Sequence, residues 1–129
     1  MGHDFTYCSW YQTTTPNQQW SAQDKHIRLD RPGHYKGDLN RAGVGHFPMW
    51  RRSLHTQLGL FDTEFKALSD ADWWARCYHV GNARFRWTDQ ALGCYLWRNG
   101  QNLWNRAITG TEWQLYSTKL AKYKHGKAA

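Results

Sequence analysis

Two carboxylates, two indoles and a guanidinium fall together in Ser69-Asp70-Ala71-Asp72-Trp73-Trp74-Ala75-Arg76. Two positions apart on a helix, Asp70 and Asp72 diverge by about 200°. They therefore cannot serve one acceptor together. Arg76 lies four residues beyond Asp72, the spacing of a helical ion pair. Ser69 to Asp72 also reads S-x-x-D, a capping box with Ser69 as N-cap and Asp72 at N3, worth about 1 kcal/mol. Other reactive types are dispersed. His46, His55 and His79 have no carboxylate or thiol at ligand spacing, and nothing favours His125 as a ligand. Cys8, Cys77 and Cys94 match no zinc pattern and cannot all pair within one chain. All three fall on apolar stretches and read as buried, inert thiols. No metal site is expected.

A second chemistry lies in the arginines. Arg51, Arg52, Arg84, Arg86, Arg98 and Arg106 interleave with Trp50, Trp87, Trp97 and Trp104. Cationic grooves with aromatic platforms bind single-stranded nucleic acid. No RNP, KH, zinc-finger or helix-turn-helix signature accompanies them. Alternating Arg and aromatic in a strand also follows from one buried and one solvated face. Lys119, Lys122, Lys124 and Lys127 read as a solvated helix face and tail.

These side chains need elements to hold them. Asp4 to Thr15 alternates β-formers and reads as a strand. Pro16-Asn17 ends it, and a long glycine-marked loop follows over 17–45, with a short strand at His26 to Asp30. His46 to Trp50 is extended. Arg51 to Leu58 fits a short helix stopped by Gly59, and Leu60 to Phe65 a compact turn. Ser69 to Val80 is a helix whose Trp73, Trp74, Cys77 and Tyr78 form an apolar stripe. Arg84 to Trp87 and Leu92 to Arg98 read as two strands, with a turn at Asn99-Gly100. The end is a helix over about 109–124, with Trp113, Leu115, Tyr116, Leu120 and Tyr123 at helical spacing.

The whole is 129 residues, one domain or part of one. Lys and Arg number 17 against 10 Asp and Glu, a formal charge of +7. That balance favours a polyanionic or phosphate-bearing partner, and it also serves solubility. No apolar run approaches the roughly 20 residues of a membrane span. The first residues carry neither a basic n-region nor an apolar core, so a reduced cytoplasmic protein is expected. Nine Trp, seven Tyr and five Phe make the apolar content mostly large aromatics, which suit interfaces.

Taken in order, Pro48-Met49-Trp50-Arg51-Arg52-Ser53-Leu54-His55, Gly59-Leu60-Phe61-Asp62, Ser69-Asp70-Ala71-Asp72 with Arg76, Gly81-Asn82-Ala83-Arg84-Phe85 and Leu92-Gly93-Cys94-Tyr95 follow a known pattern. The chain resembles the C-terminal, acceptor-side half of inverting family 2 glycosyltransferases, which have the GT-A fold. The likeness covers about residues 44 to 98. There the pattern runs as a strand ending in Arg, a short helix, a G-x-F-D turn, an E-D-x-D-x-x-x-R helix, then G-x-x-F and L-x-x-Y strands. Ser69 stands where the family usually carries Glu or another acidic or small residue.

The resemblance implies an α/β (or α+β) fold, a small mixed sheet with packed helices. It implies Asp70 as the catalytic base. That carboxylate would take the proton of an acceptor hydroxyl while the oxygen attacks the anomeric carbon with inversion, and it must come within about 3 Å of that hydroxyl. It implies an acceptor side shaped by Trp50, Arg51, Asp72, Trp73 and Trp74, with the indoles offering a sugar ring an apolar face and N–H donors. The family's nucleotide-binding βα units and Asp-x-Asp motif do not precede Asp4, where a unit of ~30 residues would be needed. The expectation is therefore no cofactor in this chain. Nucleotide-sugar and divalent metal would come with a donor-half subunit, and a homo-oligomer is the other expected assembly. Two other classes stay open: a non-catalytic glycan- or protein-binding module, and a basic nucleic-acid-binding or structural protein.

Overall fold

The computed structural model describes residues 2–14, 28–30, 43–98 and 110–126. Seven elements are laid out: strand β1 (Phe5–Thr13), strand β2 (Arg28–Asp30), strand β3 (Met49–Trp50), helix α1 (Ser53–Leu58), helix α2 (Ser69–His79), strand β4 (Phe85–Leu96) and helix α3 (Thr111–His125). The sheet is mixed and four-stranded. β1 is its centre and runs parallel to β4. Its other edge is shared by two antiparallel partners. β3 pairs with Phe5 and Thr6 at one end, and β2 pairs with Trp10 to Gln12 at the other. This is the small mixed sheet with helices expected of an α/β (or α+β) chain.

Burial explains why β1 is central. Its apolar residues occupy both faces, Phe5 and Tyr7 on one, Cys8 and Trp10 on the other, and all four are buried. A strand covered on both faces cannot be an edge exposed to water. Phe5 is also the middle of a ladder of rings. It stacks on Phe85 of β4 at 4.2 Å and on Trp50 of β3 at 5.5 Å. Both rings are its direct register partners. Aromatic cross-strand pairs of this kind fix register.

The two strands expected at Arg84–Trp87 and Leu92–Arg98 are one strand, Phe85–Leu96. The polar Asp89-Gln90 pair between them is absorbed by a bulge. Thr88 opposes Cys8 and Ala91 opposes Ser9, so two residues of β4 have no counterpart in β1. The buried Ser9 hydroxyl donates to Asp89 Oδ1 at 3.1 Å across the bulge. Cys94 is exposed on this strand, contrary to the expected burial, while Cys8 and Cys77 are buried.

The helices pack through α2. Ala71, Trp73, Trp74, Ala75 and Cys77 are buried against Phe5, Leu54, Phe65, Leu68, Tyr116 and Leu120. The expected capping box does not form. Leu68 occupies the N-cap and no side chain caps the helix. Leu68 is buried, which draws the chain inward and sets the helix to begin with Ser69 as its first residue. The long loop at 17–45 lies almost wholly outside the described residues, as do Arg106, Trp104, Lys127 and the Asn99-Gly100 turn.

Candidate functional site

The first turn of α2 separates its two carboxylates as the 200° argument requires. Asp72 points inward and is fully buried. Its Oδ2 accepts from Arg76 Nε at 2.8 Å, and its Oδ1 from the Tyr123 hydroxyl of α3 at 2.7 Å. The guanidinium has further work. Nη1 donates to the Leu58 carbonyl at 2.9 Å and Nη2 to the Leu60 carbonyl at 2.8 Å. It also lies 5.0 Å over the Trp73 ring. Arg76 thus ties the end of α1 and the following turn to α2. Burial, and then the bond to Asp72, pushes the Tyr123 hydroxyl above its usual range. The expected ion pair is present. Asp72 as an acceptor-side residue is corrected, because no acceptor reaches a fully buried carboxylate.

Asp70 differs. The residue is exposed, and its Oδ1 accepts the Ala71 backbone N–H at 2.7 Å. Its carboxyl is nevertheless raised above the ordinary carboxylate range. The cause is protein packed around the first turn of α2, which outweighs the N–H groups of Ala71 and Asp70 that favour the anion. Water still reaches the group. Tyr116 of α3 feels both charges. Its hydroxyl is pushed up to about 12, by burial first and then by Asp72 and Asp70.

Trp73 and Trp74 are buried, 0% and 5% exposed, and present no face for a sugar to stack on. They build core, correcting their place on the acceptor side. The exposed ring nearby is Phe61, 42% accessible. It sits 5.8 Å from Trp73 and 6.1 Å edge-on to Trp50. Trp50 is half-buried, and its Nε1 donates to His55 Nε2 at 3.0 Å. The other His55 nitrogen, Nδ1, is 3.0 Å from the Gly59 carbonyl. With Nε2 accepting from Trp50, Nδ1 is the nitrogen that faces the Gly59 carbonyl as donor. Arg51 is exposed and turns the other way. Its Nε donates to the His3 carbonyl at 3.1 Å and lies 3.5 Å from Asp4. The structure therefore joins Asp72, Trp73, Trp74 and Trp50 in one packed cluster and leaves Asp70 and Arg51 outside it.

The turn before α2 is held by groups whose roles the sequence concealed. The Glu64 backbone N–H donates to Asp62 Oδ1 at 2.9 Å. Lys119, expected on a solvated face, donates its ammonium to Asp62 Oδ2 at 2.5 Å and to the Glu64 carboxylate. That contact, with the Glu64 N–H, holds the Asp62 carboxyl below its usual range. Glu112 takes the backbone N–H groups of Lys66 and Ala67 at 2.5 and 3.0 Å. Their sequence signal is the shared spacing of 112, 119 and 123 on one helix face.

Among the described residues no three His, Cys, Asp or Glu converge on one point. Among the described residues, the carboxylates of Asp72, Asp62, Asp4 and Glu112 serve Arg76, Lys119, Arg84 and backbone N–H donors. No described helix is long and apolar enough to cross a membrane. Comparison with protein-family profiles, curated proteins and solved structures finds no match.

Proposed function

We propose that the chain is the acceptor side of an inverting sugar transferase, with Asp70 as general base. The observation that carries this reading is the sorting of the two carboxylates. Asp72 is buried and neutralised by Arg76. Asp70 projects from the same turn toward water, bonded to a backbone N–H and to no described side chain. Its raised pKa makes it a stronger base than a free carboxylate, and the pKa of an efficient base lies nearer the working pH. In the reaction the acceptor O–H bond breaks and its proton passes to Asp70. The oxygen bonds to the anomeric carbon while the nucleoside diphosphate departs from the opposite face. The donor sugar-nucleotide is a substrate held by a donor-binding portion, and no step here runs through a metal. Phe61 replaces Trp73 and Trp74 as the ring offered to a saccharide acceptor.

The test is sugar transfer from a panel of nucleoside-diphosphate sugars with Mn²⁺. The full chain is recovered from its source with its associated subunits. Asp70→Asn should lower turnover by roughly 10² to 10⁴, the usual contribution of a general base, with the far-UV spectrum unchanged. Retained turnover would overturn the assignment. One observation favours a second reading, a binding module without catalysis. Met49, Leu60 and Phe61 are exposed apolar side chains, and the Phe61 ring lies 6.1 Å from Trp50. That reading predicts saccharide binding, followed by Trp fluorescence, that is indifferent to Asp70→Asn and lost in Phe61→Ala.

A further inference from the structure

The three polar anchors of α3 converge on one short stretch of chain. Glu112, Lys119 and Tyr123 are spaced by seven and four residues, so they share one face of the helix. Glu112 caps two consecutive backbone N–H groups, those of Lys66 and Ala67. Lys119 bridges Asp62 and Glu64 and lies 5.2 Å over the Phe65 ring. Tyr123 donates to Asp72 inside the first turn of α2. Tyr116 and Leu120, buried on the same face, fill the space between these anchors. Everything they hold lies between residues 62 and 72, and Asp70 is within that stretch.

On α2 itself the Ala71 N–H is held by Asp70, and the turn before the helix is held from α3. The N-terminus of α2 has no side-chain cap. Helix ends without caps fray, because their first N–H groups have no partner within the helix. The residues that would tie down this end from within, Ser69 and Asp72, do not do so. Ser69 is inside the helix and Asp72 is turned to Arg76 and Tyr123.

We infer that α3 is the positioning element of the Asp70 site, with Glu112, Lys119 and Tyr123 as positioning residues that fix the start of α2 by holding the turn before it. None of the three needs to touch an acceptor. They act on where the Asp70 carboxylate stands and on how much protein surrounds it. The label "site" rests on the Asp70 reading above. The physical claim, that α3 sets the environment of Asp70, does not.

The experiment separates the two. The Asp70 carboxyl carbon is titrated by NMR in the full chain, in wild type, Glu112→Gln, Tyr123→Phe and the Glu112→Ala/Lys119→Ala double variant. Wild type should titrate above the ordinary carboxylate value. In the double variant the midpoint should fall toward that value, because the loosened turn packs less protein around the carboxyl. In Glu112→Gln, near in shape and expected to fold, the Lys66 and Ala67 amides should lose protection from hydrogen exchange by at least about tenfold, equivalent to 1.4 kcal/mol of opening free energy. A helix that contributes stability alone would lower the melting temperature and leave the Asp70 midpoint in place. An unmoved midpoint in Glu112→Gln and Tyr123→Phe overturns the inference, whether or not the double variant folds. The titration needs no sugar donor. If Asp70→Asn proves silent in transfer while α3 variants shift the Asp70 midpoint, the base assignment fails and the positioning role stands.

Discussion

At the scale of single residues the molecule turns on Asp72 and Arg76. A carboxylate with no exposure to solvent is tolerable only while paired and hydrogen-bonded. Arg76 supplies the charge and uses its remaining donors on two backbone carbonyls. Arg76→Met should cost about 3–5 kcal/mol in urea unfolding, the penalty of stranding a buried partner. Adding Asp72→Asn should recover part of that loss, since the two effects are coupled. Asp70 predicts the reverse sign. Its folded carboxyl is raised, so the ionised form is disfavoured in the folded state at neutral pH. That cost is present above the folded pKa and absent below the unfolded one. Asp70→Asn should therefore melt at a higher temperature than wild type at pH 7, and the gap should close below the ordinary carboxylate value. A lower melting temperature at pH 7 would show that the backbone N–H contact outweighs burial.

At the scale of elements, geometry at one glycine decides how the sheet is covered. Gly45 has φ +89, and a Cβ there would stand 2.3 Å from the buried Trp10 ring. Gly45→Ala should destabilise by about 1–3 kcal/mol through backbone strain alone, with the ring clash in addition, and thermal melting checks it. Elements with strong periodicity were legible before any coordinates. The apolar stripe of α2 and the alternation of β1 both appear within one or two residues of their expected ends. What failed were inferences that needed the third dimension. Ser69 looked like a cap because S-x-x-D is a local pattern, but the burial of Leu68 moved the helix start by one residue. Trp73 and Trp74 looked like a sugar platform because indoles suit either core or ligand, and residue type alone does not choose between them. Lys119 looked solvated because its partners, Asp62 and Glu64, are more than fifty residues away. The bulge in β4 was hidden because the polar Asp89-Gln90 pair interrupts the apolar pattern, so one strand reads as two until its parallel neighbour is in place.

At the scale of the whole molecule, one carboxylate joins the ends of three strands. Asp4 precedes β1. Its oxygens accept from Arg84 Nε and the Arg84 backbone N–H, both at 3.0 Å, just before β4. Arg51, just after β3, lies 3.5 Å away. The Arg84 hydrogen bonds, side chain first and backbone second, lower the Asp4 carboxyl from 3.8 to about 2. Asp62 is lowered too, by Lys119. A depressed carboxyl adds stability that is present above the unfolded pKa and is lost as pH falls through the folded one. For Asp4 that window runs from 3.8 down to about 2. Asp70 works against the trend, because its protonation relieves a cost. The chain already carries +7 at neutral pH, and each protonated carboxylate adds to that self-repulsion. The Asp4 and Asp62 contacts and the net charge thus favour unfolding in acid. Asp4→Asn isolates the strand-joining contribution. Its melting temperature should lie below that of wild type at pH 7, converge on it between pH 3.8 and 2, and meet it at the bottom of that window. Asp4 is half-buried but its partners Arg84 and Arg51 are exposed, so 1 M salt, where the Debye length is only about 3 Å, should narrow the gap at pH 7 as well. An equal gap at pH 7 and pH 2 would mean that Asp4 acts through its shape and hydrogen-bond geometry rather than its charge, and the three strand ends would then be joined without an ionic contribution, by the Arg51 N–H to Asp4 carbonyl and Asp4 N–H to Arg84 carbonyl bonds and by packing of the Trp50, Phe5 and Phe85 rings.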